Sequence, residues 1–235
     1  PVNDDSMPAP MAEPSAAEQV AELTEIILRS DALTAQNYVQ ARRAAGLTVE
    51  KLYLDLLAPV AQRLGAMWDA DLCDFTQVTV GLWRLQQIVH EHSPAFQRER
   101  PARAPGRRAM LVAAPGSQHT LGLLMVGEFF RRAGWQVVGD PTVTIALATA
   151  DVAAHHFDVI GLTVGSECHV EAVASAILAL RKASRNPQVV VMVGGPVVAL
   201  RPDFVERVGA DATAPDAAAA VALAERLVSQ RAAPA

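Results

Sequence analysis

The chain has 235 residues, 51% of them hydrophobic, and a formal net charge of −5 at pH 7. That is enough apolar material to bury a core in one or two domains, while the acidic balance excludes a generally basic nucleic-acid-binding surface. No stretch reaches the ~18 uninterrupted apolar residues of a membrane span, so no membrane contact is expected.

Residues 1–16 are rich in Pro, Ala and acidic side chains and lack the basic start and apolar centre of a signal peptide. They read as a disordered tail on a cytoplasmic protein. The two cysteines, Cys73 and Cys168, lie far apart and read as free thiols in a reducing compartment. From 17 to 97 the periodicity is helical throughout. Residues 17–29 carry Val20, Leu23, Ile26 and Ile27 near helical spacing, and 35–45 form a shorter helix ended by Gly46. Thr48 caps the next, with Leu52, Leu56, Leu57, Val60 and Leu64 along one face. The last runs over 75–92 through Val78, Leu82, Leu85 and Ile88, and Pro94 is expected to stop it. Four helices in this length make a small bundle.

Residues 98–108 mix Arg98, Arg100, Arg103, Arg107 and Arg108 with Pro101 and Pro105, which reads as an exposed basic linker. Beyond it, from 109 to 231, the pattern alternates. Strand-like runs fall at 109–114, 136–138, 159–164, 189–193 and 212–213. Helix-like segments fall at 121–133, 144–155, 170–183 and 202–208, and 217–230 closes the chain. The fold class is therefore α/β: a four-helix bundle, then a doubly wound, five-stranded parallel sheet.

The chemistry concentrates after the first strand, where Pro115-Gly116 leads into Ser117-Gln118-His119-Thr120-Leu121-Gly122. A histidine at the carboxyl end of a first strand sits where open α/β sheets bind ligands. Gly116 permits a tight turn, and Gly122 a close approach of backbone to ligand. Gly194-Gly195-Pro196, after the fourth strand, makes room for something flat or bulky at the sheet edge.

The spacing from His119 to Gly122 matches the His-x-x-Gly part of the Asp-x-His-x-x-Gly signature of cobalamin-binding domains. With Asp158-Val159-Ile160-Gly161-Leu162, Gly194-Gly195 and Gly209-Ala210-Asp211-Ala212, residues 109–228 resemble the Rossmann-like (flavodoxin-like) domain of methionine synthase, acyl-CoA mutases, corrinoid methyl carriers and light-sensing regulators. The resemblance implies that His119 ligates cobalt from below, displacing the cofactor's own benzimidazole. It also implies that Ser117, Gln118, Thr120, Leu121 and Gly122 adjoin the cofactor, and that its nucleotide tail enters a slot near Thr163, Val164, Gly165, Gly194 and Gly195. Leu64-Gly65-Ala66-Met67-Trp68 looks like the Leu-Gly-x-x-Trp element of the helical cap in that family. Trp68, with Phe75 and Val78, would then cover the upper face of the corrin ring.

Three departures select among relatives. Ser117 stands where the family's aspartate orients the ligand histidine, supplying a hydrogen-bond acceptor without charge. Thr163-Val164-Gly165 replaces the usual Ser-x-Leu. The Glu-His pair that light-sensing repressors of the CarH type carry after the cap tryptophan falls here on Val78 and Thr79. Glu91-His92 comes about two helical turns too late, so His92 reads as a surface residue near a helix end; His90 and His169 remain as other candidates for an upper ligand. Relaxed control of cobalt suits a sensor better than an enzyme. The chain looks most like the AerR/PpaA family of anti-repressors, which implies a non-enzymatic, light-responsive regulator. It would bind hydroxocobalamin or adenosylcobalamin and act on a PpsR/CrtJ-type repressor of photosystem genes. No helix-turn-helix is evident, so the contact would be with the repressor and not with DNA. A corrinoid methyl carrier and a haem-binding redox sensor are the alternatives on the same fold.

Overall fold

A computed structural model describes residues 14–98, 106–117, 120–139, 142–165, 169–201 and 203–232. Its helices start where short polar side chains satisfy free backbone donors. Helix α1 (Ala16–Arg29) opens on a capping box of Ser15 with Glu18. Helix α2 (Ala32–Ala44) opens on Asp31, whose carboxylate accepts from the Thr34 amide at 2.8 Å. Val49–Lys51, a π-helical stretch at Leu52–Leu57 and Ala58–Asp69 run on as one helix, α3. The wider turn buries Tyr53, whose hydroxyl donates to the Val89 carbonyl at 2.8 Å.

Helix α4 (Phe75–Gln97) opens on an Asp74–Gln77 capping box and does not stop before Pro94 as expected. Packing overrides the lost backbone donor. Phe96, two residues past Pro94, is buried with its ring 5.0 Å from Tyr53, 4.9 Å from Phe129 and 4.5 Å from the Arg132 guanidinium. Gln97 then donates to the Glu128 carboxylate at 2.8 Å.

The second half alternates β1 (Arg108–Ala113), α5 (Leu121–Arg132), β2 (Gln136–Val138), α6 (Ile145–Ala154), β3 (Val159–Thr163), α7 (Val170–Ala183) and β4 (Val190–Gly194). Short helices α8 (Pro196–Leu200) and α9 (Phe204–Arg207) precede α10 (Ala217–Ala232). All strand pairs are parallel, in the order β2-β1-β3-β4. Met110 pairs with Ile160, and Ile160 with Val191. Alternate side chains serve the two faces. Met110, Val112, Ile160, Val191 and Val193 pack with Val152 of α6 and Ile177 and Leu180 of α7. Ala109, Val159, Val190 and Met192 pack with Phe129 of α5 and Val221 of α10, and that second core continues into Leu23, Ile27, Tyr53, Leu85 and Phe96 of the bundle.

The expected fifth strand at 212–213 is reduced to a single parallel bridge, Met192 with Ala212. A side chain does the rest of its work. The Asp211 carboxylate accepts from the Val191 amide at 2.6 Å, while the Asp211 amide donates to the Val191 carbonyl and the Val193 amide to Ala212. Arg181 and Arg231 bond the same carboxylate at 2.8 and 2.6 Å and both reach the Val189 carbonyl. The edge of β4 is therefore satisfied without a ladder. Helix α8, which the sequence suggests only as a Gly-Gly-Pro turn, forms because Pro196 is preset for a first helical position. Arg107 and Arg108 of the expected exposed linker cover Trp135 and Phe157, at 5.6 and 4.7 Å from the ring centres. Among the described residues, no helix is long and apolar enough to cross a membrane.

Candidate functional site

Strand order reverses between β1 and β3, so their carboxyl ends border the crevice where such sheets take ligands. The strand ends are stitched in sequence. The Ala114 amide donates to Thr163 at 2.8 Å, Val164 to Gly194 at 2.8 Å, and Ser117 back to Ala114 at 2.9 Å across the turn that Gly116 makes with φ +83°. At Gly195, φ is +117° and an added Cβ would lie 2.3 Å from the Val164 carbonyl oxygen. Only glycine lets the exit of β4 press so closely on that of β3. Gly122 and Gly194 differ: nothing lies within 4 Å of where their side chains would begin, so both border open space.

Ser117 has its hydroxyl oxygen shielded from solvent and without a hydrogen-bond partner among the described residues. Gln118 and His119, and likewise Cys168, lie outside the described residues. Thr163 is half-buried, Gly165 is buried, and Leu121 and Val164 belong to the buried cores. Thr120 occupies the N-cap of α5 but does not cap it with its side chain. Its hydroxyl accepts instead from the Gln86 side-chain amide of α4 at 2.9 Å.

That hydrogen bond joins the bundle to the start of α5. Farther along α4, Ser93 donates to the Glu128 carboxylate of α5 at 2.6 Å, and Gln97 to its carboxylate and backbone carbonyl at 2.8 and 3.0 Å. Glu128 is only 5% exposed, and its second oxygen takes Arg131 at 3.1 Å. Arg132 pairs with Glu50 of α3 at 2.6 Å. Gln86, Ser93 and Gln97 are thus the face of α4 turned to the α/β half. At 3.6 residues per turn the same stripe continues back to Leu82, Thr79 and Phe75, which stands about 16 Å beyond Gln86 along the helix.

The α3–α4 turn at that far end sets exposed apolar side chains among the exposed carboxylates Asp69, Asp71 and Asp74. Trp68 is 44% exposed, Leu72 70% and Phe75 66%, and the rings of Trp68 and Phe75 meet edge to face at 6.3 Å. The turn closes with the Leu72 amide on the Met67 carbonyl and the Asp71 amide on Trp68, Asp71 taking φ +56° in the position usually left to glycine. Val78 is half-buried. Burial first, and then the Asp74 carboxylate, push the neighbouring Cys73 thiol up. The open space at Gly122 and Gly194, the unpartnered Ser117 hydroxyl and the uncovered aromatic pair suit a large flat group with an apolar face and polar edges.

The remaining histidine candidates separate. His92 is half-buried, not a surface residue, with Nδ1 2.9 Å from the Ile88 carbonyl, and it lines a cleft of about 440 Å³ with Gln40, Arg43 and Glu91 between α2 and α4. His90 is exposed on α4, whereas His169 precedes α7 on the carboxyl edge itself. Among the described residues no three His, Cys, Asp or Glu side chains form a metal-binding cluster. Sequence reasoning missed Gln86 and Glu128. The one available signal is a lone carboxylate within the apolar run around Phe129 and Phe130.

A family model described as the B12 binding domain matches residues 107–223. A Rhodobacter capsulatus protein, described as an uncharacterized 20.5 kDa protein in the bchF-crtJ intergenic region, is 33% identical over 173 residues, 72% of this chain and 88% of its own length. Among solved structures, the Methanosarcina barkeri monomethylamine corrinoid protein is similar with a TM-score of 0.76 at 19% identity. The match covers 91% of this chain and all of that one, and it shows the fold.

Proposed function

This chain belongs to the B12-binding domain family, and on that footing we propose that it is a cobalamin-binding, light-responsive regulator, an anti-repressor acting on a PpsR/CrtJ-type repressor of photosystem genes. The observation that carries the regulatory reading is the relative from the bchF-crtJ intergenic region, matched over 88% of its length. In this reading a tail at 1–16 precedes a cap at 17–97, a linker at 98–108 and a cobalamin-binding domain at 109–231, in a cytoplasmic, non-catalytic protein.

When bound, the cofactor supplies a cobalt centre whose bond to an adenosyl group is cleaved by visible light. His119 would ligate the cobalt. The Ser117 hydroxyl, without a partner among the described residues, would accept from the other ring nitrogen, orienting the imidazole without the charge an aspartate would add. Gln118, Thr120, Leu121 and Gly122 border the ring, and Thr163, Val164, Gly165, Gly194 and Gly195 form the slot for the nucleotide tail. Trp68, Phe75 and Val78 would lie against the cofactor, where burying uncovered apolar surface is favourable at roughly 25 cal/mol per Å². A cap that fits hydroxocobalamin and adenosylcobalamin unequally gives the two forms different affinities for one conformation, which is what a light-driven population shift requires.

The deciding experiment is capture of such a repressor by four samples: apo protein, hydroxocobalamin-loaded protein, and adenosylcobalamin-treated protein kept dark or illuminated. Capture that follows the cofactor form supports the reading, and equal capture in all four removes it. A corrinoid methyl carrier is the second reading, favoured by the similarity in fold to the monomethylamine corrinoid protein. Methyl transfer from the loaded protein would establish it instead.

A further inference from the structure

The polar contacts between cap and sheet are not equivalent. At Glu128, α4 is held by Ser93 and Gln97 on a carboxylate that is almost fully buried and is also bonded to Arg131. Nearby, the buried rings of Phe96, Tyr53 and Phe129 join the two halves in one core. This end of α4 is fixed. The other end carries Phe75 beside Trp68, both exposed and uncovered. Between them, one hydrogen bond at 2.9 Å joins α4 to the β1–α5 connection, from the Gln86 amide to the Thr120 hydroxyl.

The Thr120 hydroxyl does not serve its own helix. Threonine at an N-cap ordinarily turns its oxygen to its own helix, satisfying the amide two or three residues on. Thr120 leaves α5 without a side-chain cap and serves Gln86 instead. Thr120 also directly follows His119 in the chain. A displacement of Thr120 therefore reaches α4 between its fixed end and its uncovered end.

We propose that Gln86 is a positioning residue that couples the segment carrying His119 to α4, so that occupancy of the site is registered along α4 between Val78 and the Glu128 contact. The proposal rests on the cobalamin reading and adds the route by which loading reaches the regulator's surface. Gln86 touches Thr120 rather than the cofactor, and its action is through that contact. Glutamate at 86 preserves the link, because the Thr120 hydroxyl donates to a carboxylate as readily as it accepts from an amide. Methionine at 86 matches the shape and helix preference of glutamine but breaks the link.

The test is amide hydrogen exchange over 80–86, the stretch of α4 past the residues assigned to cover the cofactor, with and without saturating hydroxocobalamin, in the full chain. In the unaltered protein loading slows exchange in this segment. In Gln86→Met the corrin absorption is still acquired on loading while the slowing is lost, and in Gln86→Glu it is restored. Should Gln86→Met fail to fold, Gln86→Ala takes its place. Slowing that persists in the methionine or alanine variant overturns the proposal, as does its loss in the glutamate variant, which would show that shape alone matters. Absence of slowing in an unaltered protein that does take up hydroxocobalamin also overturns it and leaves the cobalamin reading standing. Failure of the unaltered protein to take up the cofactor overturns both.

Discussion

His119 is the side chain assigned to cobalt, and Glu128 the one that holds the cap in place; single substitutions separate the two roles. In His119→Ala the proposed ligand goes while every core residue named above stays, so a structural spectrum such as far-UV circular dichroism is unchanged and cobalamin retention through gel filtration falls sharply. Full retention with an unaltered cobalt spectrum would refute the assignment. Glu128→Ala does the reverse. It strips Ser93 and Gln97 of a charged acceptor inside a buried contact, which costs about 2–3 kcal/mol of stability, the scale of hydrogen bonds to charged groups. Denaturant unfolding would show this, and a loss below about 0.5 kcal/mol would mean that the carboxylate is not the clasp described here. His119 and Gly122 stand out as candidates in the sequence because their spacing is local. Gln86, Ser93 and Gln97 are not, since polar residues at these helical positions read as solvent-facing until the partner, 31 to 35 residues away, is known.

Helix α4 shows how far element-level reading extends. Its start at Phe75, its period and its buried face follow from the sequence, and its end does not, because Phe96 packing outweighs the local cost of Pro94. The strands are legible as apolar runs for a simple reason: both faces of a parallel sheet are covered. The missing fifth strand is less so, as a two-residue run gives no sign that a carboxylate will stand in for its backbone. The tip formed by α3 and α4 carries a ligand prediction. Trp68→Ala weakens hydroxocobalamin binding, measured by titration, several times more than Gln62→Ala on the exposed side of α3. Equal effects would give the bundle another task. Gln97, which reads as a free surface residue, is no control for that comparison because it bonds Glu128.

For the whole molecule, stability in acid hinges on the β4 edge. Burial raises the Asp211 carboxyl, but the Val191 amide and the guanidinium groups of Arg181 and Arg231 outweigh it and hold the group below the ordinary carboxylate value of 3.8. A carboxyl depressed on folding contributes stability that is complete above its unfolded value and is lost as pH falls through the folded one. Thermal midpoints of the unaltered protein should therefore drop below about pH 4. Asp211→Asn should be less stable at pH 7 and show a shallower acid decline. Parallel curves for the two proteins would rule out this origin of acid sensitivity.

The same three-residue knot has a consequence for synthesis. Arg231 is among the last residues of α10, yet it completes the cover over Asp211 and the Val189 carbonyl. A nascent chain emerging from the ribosome thus leaves that knot incomplete at the outer edge of β4 until nearly all of α10 has been made. An open strand edge is a template for pairing with other chains. A chain cut after residue 223, the end of the family match, keeps every strand and loses Arg231 and the packing of Ala224 and Leu227. It should scatter light and pellet on expression where the longer chain stays dispersed, and a dispersed, folded product of that length would show that the edge protects itself.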